Sequence, residues 1–386
     1  MISRRSFIVV PALAACSRRS TAFEGYAFIA NQEGEAIAAV DLGALTVAKH
    51  IPLDAAPTEV AAAATRPAVY ALTPATGMIH EIETAHLRPA RTVAVGSGAA
   101  FLQISSDEKT LFVLTRDPRS LCAISTDTLL QEWSLPLPED PTALELSPDA
   151  TLAAVSSASC VRLVDLRARA MSNPLGGITS TSNPEATSDA AQTEFGALRF
   201  LSDGKTLIAA NRGGRMLSLF DVAASRNDPR TSLITHLPVG VRPEQLCFSH
   251  DGGQLFVTGE GRDAVVIVYP YHTPEVGETV LTGHAPGAMA ASESLLFIAS
   301  PESGQVTIMS IDSHRVIGVV QVGSDPGFVA VTPGDQYALV LNRASGDMAV
   351  LSVRTIAANA NRYKSAALLT VIPVGSRPVS AAVRAV

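Results

Sequence analysis

The chain has 386 residues, 47% of them hydrophobic and 17% charged, with 29 Lys and Arg against 36 Asp and Glu and a net charge of −7. An acidic chain with interspersed charge has no general electrostatic pull toward nucleic acid, which argues against a nucleic-acid partner. The length exceeds a usual single core but suits a protein that grows by adding units.

Residues 1–15 read as a signal peptide. Arg4 and Arg5 form a short basic region, and Phe7 to Ala15 is an apolar stretch of 9 residues. That is too short for a membrane-spanning helix, which needs about 20 residues. Ser3-Arg4-Arg5-Ser6-Phe7-Ile8 resembles the twin-arginine export motif, with the general secretion route as the alternative. Leu13-Ala14-Ala15-Cys16 resembles the lipobox of bacterial lipoproteins, which makes Cys16 the expected lipidation site and residues 16–23 a lipidated linker. The expected location is the periplasmic side of a bacterial membrane or the cell surface, held by the lipid alone.

From Tyr26 onward one pattern recurs eight times. YAFIAN, VYALT, LFVLT, LAAVS, LIAAN, LFVTG, LFIAS and YALVLN end at Asn31, Thr73, Thr115, Ser156, Asn211, Gly259, Ser300 and Asn342, spaced 42, 42, 41, 55, 48, 41 and 42 residues apart. A period in the forties, built of strand-like runs, signals a β-propeller. Each unit has a loop with Gly or Pro, an apolar strand A, a polar turn, the anchor strand B, a strand C such as LSLFD and a strand D such as ITHLPVG. Four short antiparallel strands make one blade. The chain opens on a strand B and closes on a strand A, Pro378 to Val386, so one blade is shared by the two ends and an open sheet edge is avoided. Residues 24–386 thus read as an all-β, eight-bladed propeller. Seven blades is the alternative, because the fourth repeat is irregular.

Cys122, Cys160 and Cys247 read as small buried hydrophobes. A Cys122–Cys160 disulfide is the alternative in an exported protein. Three insertions break the period, at 172–194, 223–232 and 354–366. The first is polar and leads into strand A of blade four, so it overhangs the expected ligand face; the other two join strands C and D on the opposite face.

Ile37–Asp41, His236–Gly240 with Arg242-Pro243, and Val374–Pro378 carry a repeat that resembles the YVTN family of β-propellers. The resemblance covers about residues 24–386. Its motifs are structural, and it implies a propeller with relatives among lactonases, the haem-d1-binding propellers of nitrite reductases, surface-layer proteins and binding modules. It maps no family catalytic residue onto this chain.

Candidate chemistry gathers at one channel mouth, where B–C hairpins and D–A loops meet. Arg116, Arg212, Arg242, Arg343 and Arg377 rim that mouth, and guanidinium forks suit carboxylate or phosphate. The competing reading pairs them with Asp117, Asp140, Glu260 or Asp325. Thr58, Glu59, Thr142, Glu244, Gln245 and Ser380 start strands A and are expected to line the channel, where the two carboxylates suit acid–base work or a divalent cation. Gln103, Glu145 and Arg199 share one mid-strand position in consecutive blades and read as a structural set with a Glu145–Arg199 pair. The eight His do not converge, HExxH and GxSxG are absent, and no resident cofactor or metal site is expected.

The leading expectation is a monomeric, non-enzymatic binding or scaffold module for a small anionic ligand or a partner protein. A lactonase-like, metal-dependent hydrolase using Glu59 and Glu244 is one alternative. A periplasmic redox accessory protein that borrows a cofactor is the other.

Overall fold

The computed structural model describes residues 23–176, 193–358 and 367–385. The signal peptide, Cys16 and its linker up to residue 22 lie outside the described residues, as do most of the insertion at 172–194 and the latter part of that at 354–366.

Eight four-stranded antiparallel sheets form the ring, which resolves the blade count as eight. Blades 1 to 8 take their inner strands A from Glu59–Ala62, Ala100–Ile104, Pro141–Leu146, Phe195–Phe200, Arg242–Phe248, Met289–Ala291, Pro326–Val331 and Pro378–Ala385. In blade 8 the sheet order runs from Thr46–Pro52 through Ala36–Asp41 and Gly25–Asn31 to Pro378–Ala385. Gly25 pairs with Ala385 and Ala30 with Ser380, so the two chain ends close the ring as the repeat pattern demands.

The strand order explains the composition. A strand B packs both faces on neighbouring blades, and Ala68–Thr73 is buried throughout. It therefore reads as a continuous apolar run rather than an alternating one. The outer strand Arg88–Ala94 is mostly exposed and carries the polar residues. Eight apolar clusters result, one at each interface between adjacent blades. Phe28, Ile37 and Ile51 of blade 8, for example, pack on Val69, Ala71 and Ile82 of blade 1.

The small polar residue that ends strand B ties loops together at the mouth. Asn31 donates to Val374 O at 2.7 Å, reaching the outgoing strand of blade 7. Asn211 accepts from Gly214 N at 3.0 Å and so holds its own B–C turn. Ser156 reaches Gly196 O of the next blade at 2.8 Å. These contacts also explain the glycine of the VGS loops. A Cβ on Gly323 would lie 2.6 Å from Asn342 Nδ2, and one on Gly375 2.7 Å from Asn31 Nδ2, with a backbone φ of +127° at Gly375.

One feature differs from the expectation. The insertions after strands C of blades 4 and 7 open with short helices, α1 (Val222–Asn227) and α2 (Val353–Ala358). Asp221 caps α1 by accepting from Ala224 N at 2.7 Å. Six residues are too few to set up the recurring apolar face that marks a helix in sequence. Cys122 and Cys160 are buried as expected, and they are unpaired rather than bridged.

On the face opposite the mouth, Glu108 in the A–B turn of blade 2 locks onto the A–B turn of blade 1. Its carboxylate accepts from Ala64 N at 2.6 Å, Thr65 N at 3.0 Å and Thr65 Oγ1 at 2.6 Å. Burial raises its pKa, but the Thr65 hydroxyl and the backbone N–H groups outweigh burial and hold the carboxyl below its ordinary value. A depressed carboxylate pKa stabilises the fold above the unfolded-state pKa, and that contribution is lost as pH falls through the folded value. Glu108→Gln should therefore cost about 1–3 kcal/mol at neutral pH. In urea unfolding, the gap between wild type and variant should shrink as pH is lowered through the carboxylate range. A gap that stays constant with pH would show that the charge of Glu108 is not what joins these turns.

Candidate functional site

Two of the residues that follow a strand-B anchor, Arg212 and Arg343, lie over inner strands at the mouth. Beneath Arg212 the inner strand of blade 4 carries Gly196, and beneath Arg343 that of blade 7 carries Gly327. A Cβ on Gly327 would overlap the Arg343 side chain, and one on Gly196 would sit 3.3 Å from Arg212 Cδ. These glycines let the two arginines lie flat across the inner strand toward the channel.

Four of the five rim arginines are neutralised within the protein. Arg212 bridges Glu244 at 2.8 Å and Glu194 at 3.4 Å, while Arg242 bridges Glu194 at 2.8 Å and Glu260 at 3.2 Å. The result is one alternating chain, Glu244–Arg212–Glu194–Arg242–Glu260, that ties blade 4 to blade 5. Arg343 pairs with Asp325 at 2.7 Å and Arg377 with Glu33 at 3.5 Å. Arg116 is exposed and has no ion-pair partner among the described residues. Exposed pairs of this kind contribute little stability singly, and they leave no cluster of bare positive charge at the mouth.

Below the Arg212 rim a cavity of about 520 Å³ opens against the inner strands of blades 2 to 5. Its room comes from small side chains. Ala143 and Ala197 stand where blades 2 and 7 carry Phe101 and Phe328. Thr142, Gln245 and Phe101 line the walls, and Gln103 and Arg199 the floor. Glu194, Arg212 and Glu244 form its upper edge.

The floor is built across blades. Gln103 donates to Leu144 O at 2.9 Å and accepts from Leu146 N at 3.1 Å. Glu145 takes Arg199 Nη1 at 3.0 Å, so the expected pair is present. Burial pushes the Glu145 carboxyl above its ordinary range, against the pull of Arg199 and of a hydrogen bond to Gln103. Arg199 Nη1 also donates to Leu198 O at 2.9 Å, whereas Nε and Nη2 make no hydrogen bond among the described residues. Its side chain is 40% exposed, and Arg199 lines the cavity. Beside it, Cys247 is pushed up to about 11, mainly by burial, and is no thiolate nucleophile.

The remaining candidate residues lie elsewhere. Glu59 was expected to line the channel with Glu244. Its carboxylate instead turns to the next blade and accepts from Phe101 N at 3.1 Å and Leu102 N at 2.5 Å. These two donors converge because Phe101 is a bulge residue with φ +59°, a costly conformation for a bulky side chain. Glu59 is thus a clamp between blades 1 and 2. Arg343 and Arg377 line a separate cavity of about 530 Å³ at the blade 7–8 seam, together with Asp325 and Glu33. His80 is buried against Asp54 and Thr73, and both contacts use Nε2, so they form no relay. Among the described residues no three His, Cys, Asp or Glu side chains gather as a metal site.

Sequence reasoning placed Thr142 in the channel, treated Arg199 as structural and passed over the two alanines. The alanines carried the signal, as a drop in side-chain size at one inner-strand position on adjacent blades.

No protein-family model and no curated protein matches the chain. Solved structures do match it. NirN, a dihydro-haem d1 dehydrogenase in complex with DHE, is 12% identical, with a TM-score of 0.73 over 99% of this chain and 77% of that one. AztD from Citrobacter koseri, in its apo form, is 12% identical, with a TM-score of 0.65 over 94% and 98% of the two chains. A candidate 6-phosphogluconolactonase from Bacteroides fragilis is 15% identical, with a TM-score of 0.58 over 94% and 99%. At these identities the likeness shows the β-propeller fold and nothing finer.

If Glu59 is a clamp, Glu59→Ala leaves the Phe101 and Leu102 N–H groups without acceptors. Urea unfolding should then show a loss of about 1–3 kcal/mol, with no dependence on added divalent metal. Unchanged stability would overturn the clamp.

Proposed function

We propose that this chain is an exported, lipid-anchored binding propeller that takes a small ligand with an anionic group into the channel cavity of blades 2 to 5. The observation that carries the reading is Arg199. It sits at the floor of a cavity of about 520 Å³, fixed by Glu145, with its Nε and Nη2 donors unused among the described residues. Cavities of roughly 300–1,000 Å³ with a few convergent polar groups are the usual size for small-molecule sites. A carboxylate or phosphate oxygen can meet the two free donors as a fork. Gln245 supplies a further polar contact on the wall, beside Thr142, whose hydroxyl donates to Phe195 O at 3.1 Å. Arg212, held by Glu194 and Glu244, acts at the entrance.

The test is a melting-temperature screen of the purified protein against organic acids, sugar phosphates and lactones, with and without divalent metals. A ligand at a hundredfold excess over its Kd adds about 2.7 kcal/mol of native-state stability. The shift should vanish in Arg199→Gln and in Ala197→Phe, which fills the cavity, and persist in Glu59→Gln. A shift that needs metal and disappears with Glu59→Gln would favour the hydrolase reading instead. The likeness to NirN favours the redox-accessory reading only in so far as a bound cofactor would colour the purified protein.

Anchoring is tested separately. Expressed with its leader in a bacterial host, the protein should partition with membranes and carry an acyl mass increment, and Cys16→Ala should release it. A soluble, unacylated wild-type protein would overturn the anchor.

A further inference from the structure

The unused bonding positions around the cavity are of two opposite kinds and stand at two depths. At the floor, Arg199 offers Nε and Nη2 as donors, since Glu145 and Leu198 engage Nη1 alone. At the rim, Glu244 gives Oε1 to Arg212, while its Oε2 accepts no hydrogen bond among the described residues. The Glu244 side chain is 38% exposed and lines the same cavity. Between them stands Gln245, exposed, its amide without a partner among the described residues and free to turn either its oxygen or its nitrogen to a ligand.

The charged side chains that line the cavity are two arginines, Arg199 and Arg212, and two glutamates, Glu194 and Glu244. Those four charges cancel, and Glu145 behind Arg199 adds no positive charge, so the site exerts no net attraction on a bare polyanion. Binding one would also bring like charge against Glu194 and Glu244, an arrangement that costs affinity.

We propose that the ligand is a zwitterion of the amino-acid or short-peptide class, with its carboxylate inward on Arg199 and its ammonium outward on Glu244 Oε2. This rests on the binding reading above and narrows it. A member of this class whose two charged ends reach from floor to rim satisfies both unused positions and leaves the Glu244–Arg212–Glu194 chain intact. A dicarboxylate would leave Glu244 facing a like charge, and a diamine would leave Arg199 facing one. Glu145 is a positioning residue that keeps Arg199 turned so that Nε and Nη2 face the cavity.

Isothermal titration of the full chain with three matched sets tests this. L-alanine, L-glutamate and glycylglycine are the zwitterions, propionate and succinate the carboxylates, and 1,4-diaminobutane the diamine. At least one zwitterion should bind about tenfold or more tighter than either carboxylate, the loss expected when one charged hydrogen bond is missing. Glu244→Gln should bring that zwitterion to the level of the carboxylates, and Arg199→Gln should abolish binding of both sets. Arg212→Gln, which frees Glu244 Oε1 as well, should keep or enlarge the preference, and it guards against a fold effect in the first variant. A carboxylate that binds as tightly as every zwitterion, or a preference that survives Glu244→Gln, overturns the zwitterion and leaves the anion reading standing. No heat with any probe overturns both.

Discussion

No blade of this ring can stand alone. Each sheet is apolar on both faces, and its only partners are the blades on either side. Burying both faces of eight sheets requires a closed circle, and closing the circle requires the pairing of Gly25–Asn31 with Pro378–Ala385. The core is therefore a set of eight interfaces rather than one centre, and cross-blade polar clamps such as Glu59 and Glu108 act on those interfaces directly. A defect at one interface is transmitted around the ring, because no blade has a spare face on which to repack.

That constraint also explains how a site can be placed in so repetitive a frame. The strand-B and strand-C positions are committed to packing, so they vary little in kind from blade to blade. The inner strand has one edge on the channel, and its residues are free to differ. Ala143 and Ala197 remove bulk on two adjacent blades, and Gln103, Glu145 and Arg199 place a polar floor beside them. The result is an off-centre cavity in a nearly symmetric scaffold. Gly196 and Gly327 do a related thing at the mouth, where the missing side chain lets an arginine from the B–C hairpin lie down over the strand.

The repeat was legible in sequence because strands buried on both faces produce long aliphatic runs at a fixed period, and because tight turns and the VGS loops demand Gly, Pro and Asp. The closing strand was legible for the same reason: Pro378 stands at the register of the other seven loops. The site was only partly legible. A one-dimensional reading placed the arginines together at one mouth, but their partners come from residues tens of positions away, such as Glu194 for Arg242. Glu59 was placed in the channel by its position in the repeat. What turned it to the neighbouring blade was the bulge at Phe101, and a left-handed phenylalanine leaves no mark in sequence. The helices α1 and α2 escaped because one and a half turns do not establish a period.

The seam in blade 8 has a directional consequence. In the other seven blades the end of strand A turns back into strand B through a hairpin on the face away from the mouth. In blade 8 that hairpin is cut, and Gly25 and Ala385 stand side by side in its place. A segment joined ahead of Phe23 or beyond Ala385 thus departs from the back of the disc. A tether attached there would hold the molecule on the side opposite the cavity entrance, so anchoring and ligand entry would use opposite faces of the ring.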